Sequence, residues 1–243
     1  MTTATTLPDP IPNAPAPLSL RVATIGLVTP VLLMLAGMAF WPERLGAPGV
    51  LLATSKRFVG TLAIEIFLVA TLGTWLWRQG WRPHRTATIP FAPRDVLRGI
   101  GVWLAAYVCY AAWALLWFSL APDTTASAYA VEHVGQPALW IVVTVSAVNA
   151  VFEEMLWLGL GVAALHAAGV RLGVAATISL TLRVLVHAYQ GPLALVAILP
   201  LGAVFTTYYI RTRRLWPVVV AHAAQDLLAL GLIILRASAR GAG

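Results

Sequence analysis

The chain has 243 residues, of which 60% are hydrophobic and only 10% charged, with a mean hydropathy of +0.83. A soluble domain normally carries about a quarter charged residues, so this chain cannot cover a water-facing surface, and a soluble globular fold is excluded. The net charge of +7 comes from fifteen arginines and one lysine gathered at the ends of apolar blocks; that is the positive-inside bias of a membrane protein, and it implies no nucleic-acid partner.

Residues 1–19, rich in Pro, Thr and Ala, hold no apolar run and no basic region leading into one. They are expected to form a disordered N-terminal tail rather than a signal peptide. Apolar blocks near the ~20-residue length that spans a bilayer core follow at 20–40, 59–77, 97–120, 138–168, 172–189, 192–210 and 215–235. The predicted fold class is therefore all-α, a polytopic membrane helical bundle of about seven (7–8) transmembrane helices. The stretch Arg78–Arg98 holds five arginines against one acid, and Arg171, Arg211, Arg213 and Arg214 mark the same side. Loop 121–137 carries Asp123 and Glu132 with no Lys or Arg. Seven spans with a cytoplasmic N-terminus satisfy these loops. Loop 41–58 runs against them with Arg44, Lys56 and Arg57, so an extra partial span near Gly49–Thr54 is the alternative that raises the count to eight. The fourth block would make a helix of roughly 46 Å at 1.5 Å per residue. It must tilt, protrude or break, with Gly159 and Gly161 the natural places. The expected organisation is a tail over 1–19, N-terminal membrane helices over 20–137, chemistry-bearing membrane helices over 138–235 and a short tail over 236–243.

Cys109 is the only cysteine and lies inside an apolar block. A disulfide framework and a thiolate cluster are both excluded.

A charged side chain at the centre of a span costs about 2.5–3.5 kcal/mol on insertion scales, so such residues mark cavities and function. Asn149, Glu153, Glu154, Arg183, His187, His222, Gln225 and Asp226 all fall within the last spans. Residues four apart share a helix face. Asn149 with Glu153, Arg183 with His187, and His222 with Asp226 give three helices a two-residue polar stripe each. Glu153 lies sixteen residues before Gly169 and His187 sixteen after Arg171. A hairpin closed at 169–171 therefore brings Glu153 and His187 to one depth. A carboxylate and an imidazole converging on one water can deprotonate it and aim it at a carbonyl; a second His and an Asp or Asn can steady the oxyanion that forms. Peptide-bond hydrolysis fits these groups best. Glu65, alone in the second span, reads as helix packing, and so does Trp157, one turn past Glu153.

Glu153-Glu154, then Arg183-Val-Leu-Val-His187, then His222-Ala-Ala-Gln-Asp226 resembles the three-motif pattern of the CPBP family of CAAX prenyl endopeptidases and bacterial Abi (bacteriocin-immunity) proteins. That pattern reads EExxxR, FxxxH and HxxxN or HxxxD on successive membrane helices, and the likeness covers roughly residues 140–232. The resemblance implies an intramembrane endopeptidase of glutamic type. Glu153 would be the water-activating base, His187 would hold the water, and His222 and Asp226 would stabilise the oxyanion. Glu154, Arg183 and Asn149 would be supporting residues. Two positions depart from the pattern: Leu158 stands where Arg is expected and Arg183 where Phe is expected. Arg183 is expected to supply the missing charge to the carboxylate pair from the neighbouring helix.

No cofactor is implied by this pattern. A zinc-dependent version is the alternative, with Glu153, His187 and His222 as a His₂Glu ligand set. A non-catalytic immunity or scaffold protein is the other, supported by Leu158. The expected partners are the lipid bilayer and a protein or peptide substrate. The expected location is a bacterial plasma membrane, multi-pass, since low Lys against high Arg, Ala and Gly points to a GC-rich genome.

Overall fold

A computed structural model of the chain describes residues 18–40, 50–53, 55–83, 89–120, 130–134, 137–187 and 192–241. Among the described residues seven helical segments follow one another: α1 (Leu20–Phe40), α2 (Ser55–Arg78), α3 (Arg94–Leu120), α4 (Leu139–Glu154), α5 (Leu172–Val186), α6 (Pro192–Thr212) and α7 (Trp216–Gly241). Helix α4 runs straight into a π-helix over Met155–Ala164 and a last α-helical turn, Leu165–Ala167. These are the seven expected apolar blocks. Phe58–Arg78, Arg94–Leu120 and Leu139–Ala167 are long and apolar enough to cross a membrane, and Leu20–Ala36, Leu172–Val186 and Trp216–Leu232 are shorter apolar helices. The protein is an all-α membrane bundle.

Three local expectations change. Val50–Ala53 is a strand (β1) paired in parallel with β2, Ala130–Val134, so the partial helical span suggested near Gly49–Thr54 is replaced by extended backbone at its centre. Helix α7 continues to Gly241, past the boundary expected at 235. Leu18, inside the expected tail, is buried; residues 1–17 lie outside the described residues.

Large apolar side chains point outward along α2 and α3, among them Ile64, Phe67, Leu97, Val108 and Leu115. On a soluble protein such contiguous patches would mark binding or aggregation surfaces; around a bundle they are the lipid-facing girdle. Burial runs the other way in the fourth segment, where half of the most apolar window is buried against 17% in α2 and in α3. The α4–π-helix segment is thus the centre of the bundle. Helix α7 packs on both α3 and α4, α2 lies against α4, α5 against the π-helix, and α6 against α3 and α5.

Two features hold the motif helices in place. Gly169 closes the hairpin before α5 with φ +97°, a left-handed conformation that glycine adopts without the Cβ penalty. Where α3 begins, Asp95 is fully buried. It accepts two hydrogen bonds from Arg214, Nε to Oδ1 and a terminal nitrogen to Oδ2, both at 2.8 Å. Arg98 adds a third at 3.0 Å and the Ala92 N–H a fourth at 2.9 Å. A bidentate arginine fork gives geometric specificity as well as energy, and here it fixes the turn before α7 to the start of α3.

Candidate active site

Glu153 and Glu154 are neighbours on one helix, yet their surroundings differ completely. Glu154 is fully buried and both of its oxygens are taken. Oε2 accepts from Arg183 at 2.6 Å and Oε1 from His222 Nδ1 at 2.7 Å. Glu153 is partly open. Its Oε2 accepts from Trp157 Nε1 at 3.0 Å, and its Oε1 stands 3.9 Å from His187 Nε2. The hairpin at 169–171 has brought Glu153 and His187 to one depth, as the equal spacing to the turn requires.

Each imidazole is held by its other nitrogen. His187 closes the end of α5, and its Nδ1 lies 2.7 Å from the Arg183 carbonyl oxygen one turn earlier. That bond leaves Nε2 facing Glu153. His222 is fixed through Nδ1 by Glu154, and its Nε2 lies 3.6 Å from Asp226 Oδ1. Asp226 in turn accepts from Asn149 Nδ2 at 3.0 Å. The i, i+4 stripes on α4, α5 and α7 therefore meet in one cluster, bridged from α4 to α7 by Asn149–Asp226 and by Glu154–His222.

Arg183 is nearly fully buried and spans the helices as the Leu158 departure requires. Its guanidinium also lies 5.9 Å from the rings of both Trp157 and Phe205. Leu158 itself is fully buried among apolar residues.

The π-helix begins immediately after Glu154. Such π segments recur at functional sites. Ser179 on α5 donates its hydroxyl to the Trp157 carbonyl in this segment at 2.6 Å. Gly161 makes this approach possible, because a Cβ there would lie 2.7 Å from Ser179 Oγ and 2.9 Å from its Cβ. The long fourth block thus accommodates its length by a change of helix type across Gly159 and Gly161.

Residues 135–228 match the family described as type II CAAX prenyl endopeptidase Rce1-like. The chain carries an Rce1-like domain. No curated protein and no solved structure matches the chain. The matched residues take in Asn149, the Glu153–Glu154 pair, Arg183, His187, His222 and Asp226, and the match supports a CAAX-type intramembrane peptidase at the level of the family.

Within and around the Rce1-like domain, three residues join the site that the motifs do not contain. Trp157 donates to Glu153 at the i, i+4 spacing that is visible in the sequence. Gln225, seen as a polar residue in a span, accepts from Trp103 Nε1 on α3 at 3.1 Å. Glu65 lies outside the Rce1-like domain on α2, yet it is within electrostatic range of Glu153, Asp226 and His222. Its solitary place in the second span made it look like packing; helix α2 lying against α4 carries it to the cluster. Among the described residues no group of three or more His, Cys, Asp or Glu side chains is arranged to hold a metal ion.

Proposed function

We propose that the protein is an intramembrane endopeptidase that hydrolyses a peptide bond of a membrane-associated protein or peptide, with Glu153 and His187 activating the water. The observation that carries this reading is the division of labour between two adjacent carboxyl groups. Glu154 has both oxygens occupied and no room to act. Glu153 keeps Oε1 facing His187 Nε2 across 3.9 Å, and a water at ordinary hydrogen-bond distance of about 2.8 Å from both fits the apex of that triangle.

In this mechanism Glu153 takes a proton from the water and the resulting hydroxide attacks the scissile carbonyl carbon. The carbonyl π electrons move to oxygen, and His222 Nε2, beside Asp226, donates to that oxyanion. Collapse expels the amine, which receives the proton held by Glu153. Trp157 orients the base, Glu154 orients His222, and Asn149 orients Asp226. The missing motif arginine, the argument for a non-catalytic immunity or scaffold protein, has a spatial substitute in Arg183.

The test is cleavage of a quenched-fluorescent peptide library by purified wild type and Glu153→Gln in detergent, each with and without chelator. Cleavage that Glu153→Gln abolishes and chelator leaves unchanged supports the glutamic mechanism. Sensitivity to chelator would promote the zinc-dependent version. Equal rates from the two proteins would remove Glu153 from the chemistry.

A further inference from the structure

Glu65 is the one acidic residue of the cluster that belongs to no motif. It is 5% exposed, and its Oε2 has no hydrogen-bond partner among the described residues. A buried acceptor left unmade costs about 1–3 kcal/mol, so its position needs a reason. The neighbours on α2 sharpen the question. Ile64, Ile66 and Phe67 all face outward, whereas Glu65 is turned into the bundle.

The packing beside Glu65 sets its level. Phe58, Ile141 and Val145 form a small apolar cluster, with Leu62 and Leu230 packed against it. This cluster joins α2, α4 and α7. One helical turn from it, in the same direction along each helix axis, come Glu65 after Leu62, Asn149 after Val145, and Asp226 before Leu230. Asn149 and Asp226 are hydrogen-bonded to each other, and Glu65 is in electrostatic range of Asp226, His222 and Glu153. Glu65 therefore lies in the polar layer of the site, on the wall formed by α2, with an apolar layer beside it.

The other carboxyl groups of that layer are engaged. Glu154 holds Arg183 and His222, Glu153 accepts from Trp157 and faces His187, and Asp226 accepts from Asn149 and faces His222. Arg183 is committed to Glu154. Glu65 Oε2 is thus an acceptor without a donor among the described residues, on the α2 side of the cluster. An extended peptide entering the site brings backbone N–H groups that have lost their water and need an acceptor. A free C-terminal carboxylate would bring only further acceptors to a layer already rich in carboxyl groups.

We propose that Glu65 is a substrate-positioning residue, its free carboxyl oxygen accepting a backbone N–H of the peptide beside the bond to be cut, and that it thereby favours internal bonds over C-terminal ones. This rests on the endopeptidase reading above.

The experiment compares wild type, Glu65→Gln, Glu65→Met and Glu153→Gln on a quenched-fluorescent peptide library, with Tm measured for each. Glu65→Met is expected to raise KM about tenfold, the scale of one lost hydrogen bond, with Tm unchanged or higher because an unmet buried carboxyl is gone. Glu65→Gln keeps an acceptor oxygen and is expected to stay within about threefold of wild type. A merely structural Glu65 would instead lower Tm in Glu65→Met and leave KM alone, and that result overturns the proposal. So does an equal rise of KM in both Glu65 variants. Failure of the endopeptidase reading shows separately, as cleavage by none of the four proteins; undiminished cleavage by Glu153→Gln removes only Glu153 from the chemistry. A readout without turnover is modification of Glu65 in Glu153→Gln protein by dicyclohexylcarbodiimide, mapped by mass spectrometry. Protection by saturating library peptides supports the proposal, and modification unaffected by them overturns it even if no protein cleaves.

Discussion

Arg183 reaches from α5 to Glu154 on the neighbouring helix and closes to 2.6 Å, with both side chains almost completely out of solvent. A buried ion pair of this kind gains little over a well-packed apolar pair, but removing one partner strands the other and costs about 3–5 kcal/mol. The pair therefore acts as a registration device. It sets α5 against α4, and the helical turn from Arg183 to His187 then carries the imidazole to Glu153.

Arg183→Leu is expected to lower stability by about 3–5 kcal/mol and to abolish activity, read as a large fall in Tm and loss of peptide cleavage. Adding Leu158→Arg is expected to recover part of both. Residue 158 stands four after Glu154, the same spacing at which Trp157 already reaches Glu153. No recovery in the double variant would show that the two arrangements are not interchangeable in this bundle.

The two adjacent glutamates should give opposite signatures. Glu153→Gln is expected to reduce kcat by about 10²–10⁴, the usual contribution of a positioned general base, with Tm little changed because the residue is partly open. Glu154→Leu is expected to lose about 3–5 kcal/mol by stranding Arg183, so Tm falls together with activity. Thermal denaturation of the two purified variants in one detergent distinguishes them.

The contact between the π-helix and α5 is tight enough to test by size alone. Gly161→Ala places a methyl 2.7 Å from Ser179 Oγ, and overpacking of this kind costs about 1–3 kcal/mol. Ser179→Ala is expected to cost about 0.5–1.5 kcal/mol by a different route, the lost hydrogen bond to the Trp157 carbonyl. Because Gly161→Ala also crowds the Ser179 Cβ, the double variant should be no more stable than Gly161→Ala.

Asp95 offers a control remote from the chemistry. Asp95→Leu removes the acceptor of both Arg214 hydrogen bonds and loosens the turn before α7. A fall in Tm with cleavage retained at low temperature is expected. Loss of cleavage at full stability would show that this clamp also sets the level of His222.

The sequence alone determined the membrane class, the seven apolar blocks and the three polar stripes. These depend on local quantities, the cost of charge in a lipid environment and the 3.6-residue period, that neighbours in the chain decide. The depth match of Glu153 and His187 was also legible, since a tight hairpin makes equal spacing from a turn into equal height. Tertiary structure decided the rest. The sequence cannot say which of two adjacent glutamates is saturated, because that depends on where Arg183 and His222 arrive from other helices. Glu65 looked isolated for the same reason: eighty-four positions separate it from Asn149, and only the packing of α2 on α4 turns it inward. The π-helix and the β1–β2 pairing were beyond the pattern as well. The first is stabilised by a hydroxyl from α5 and the second by a strand far along the chain, partners that no local window contains.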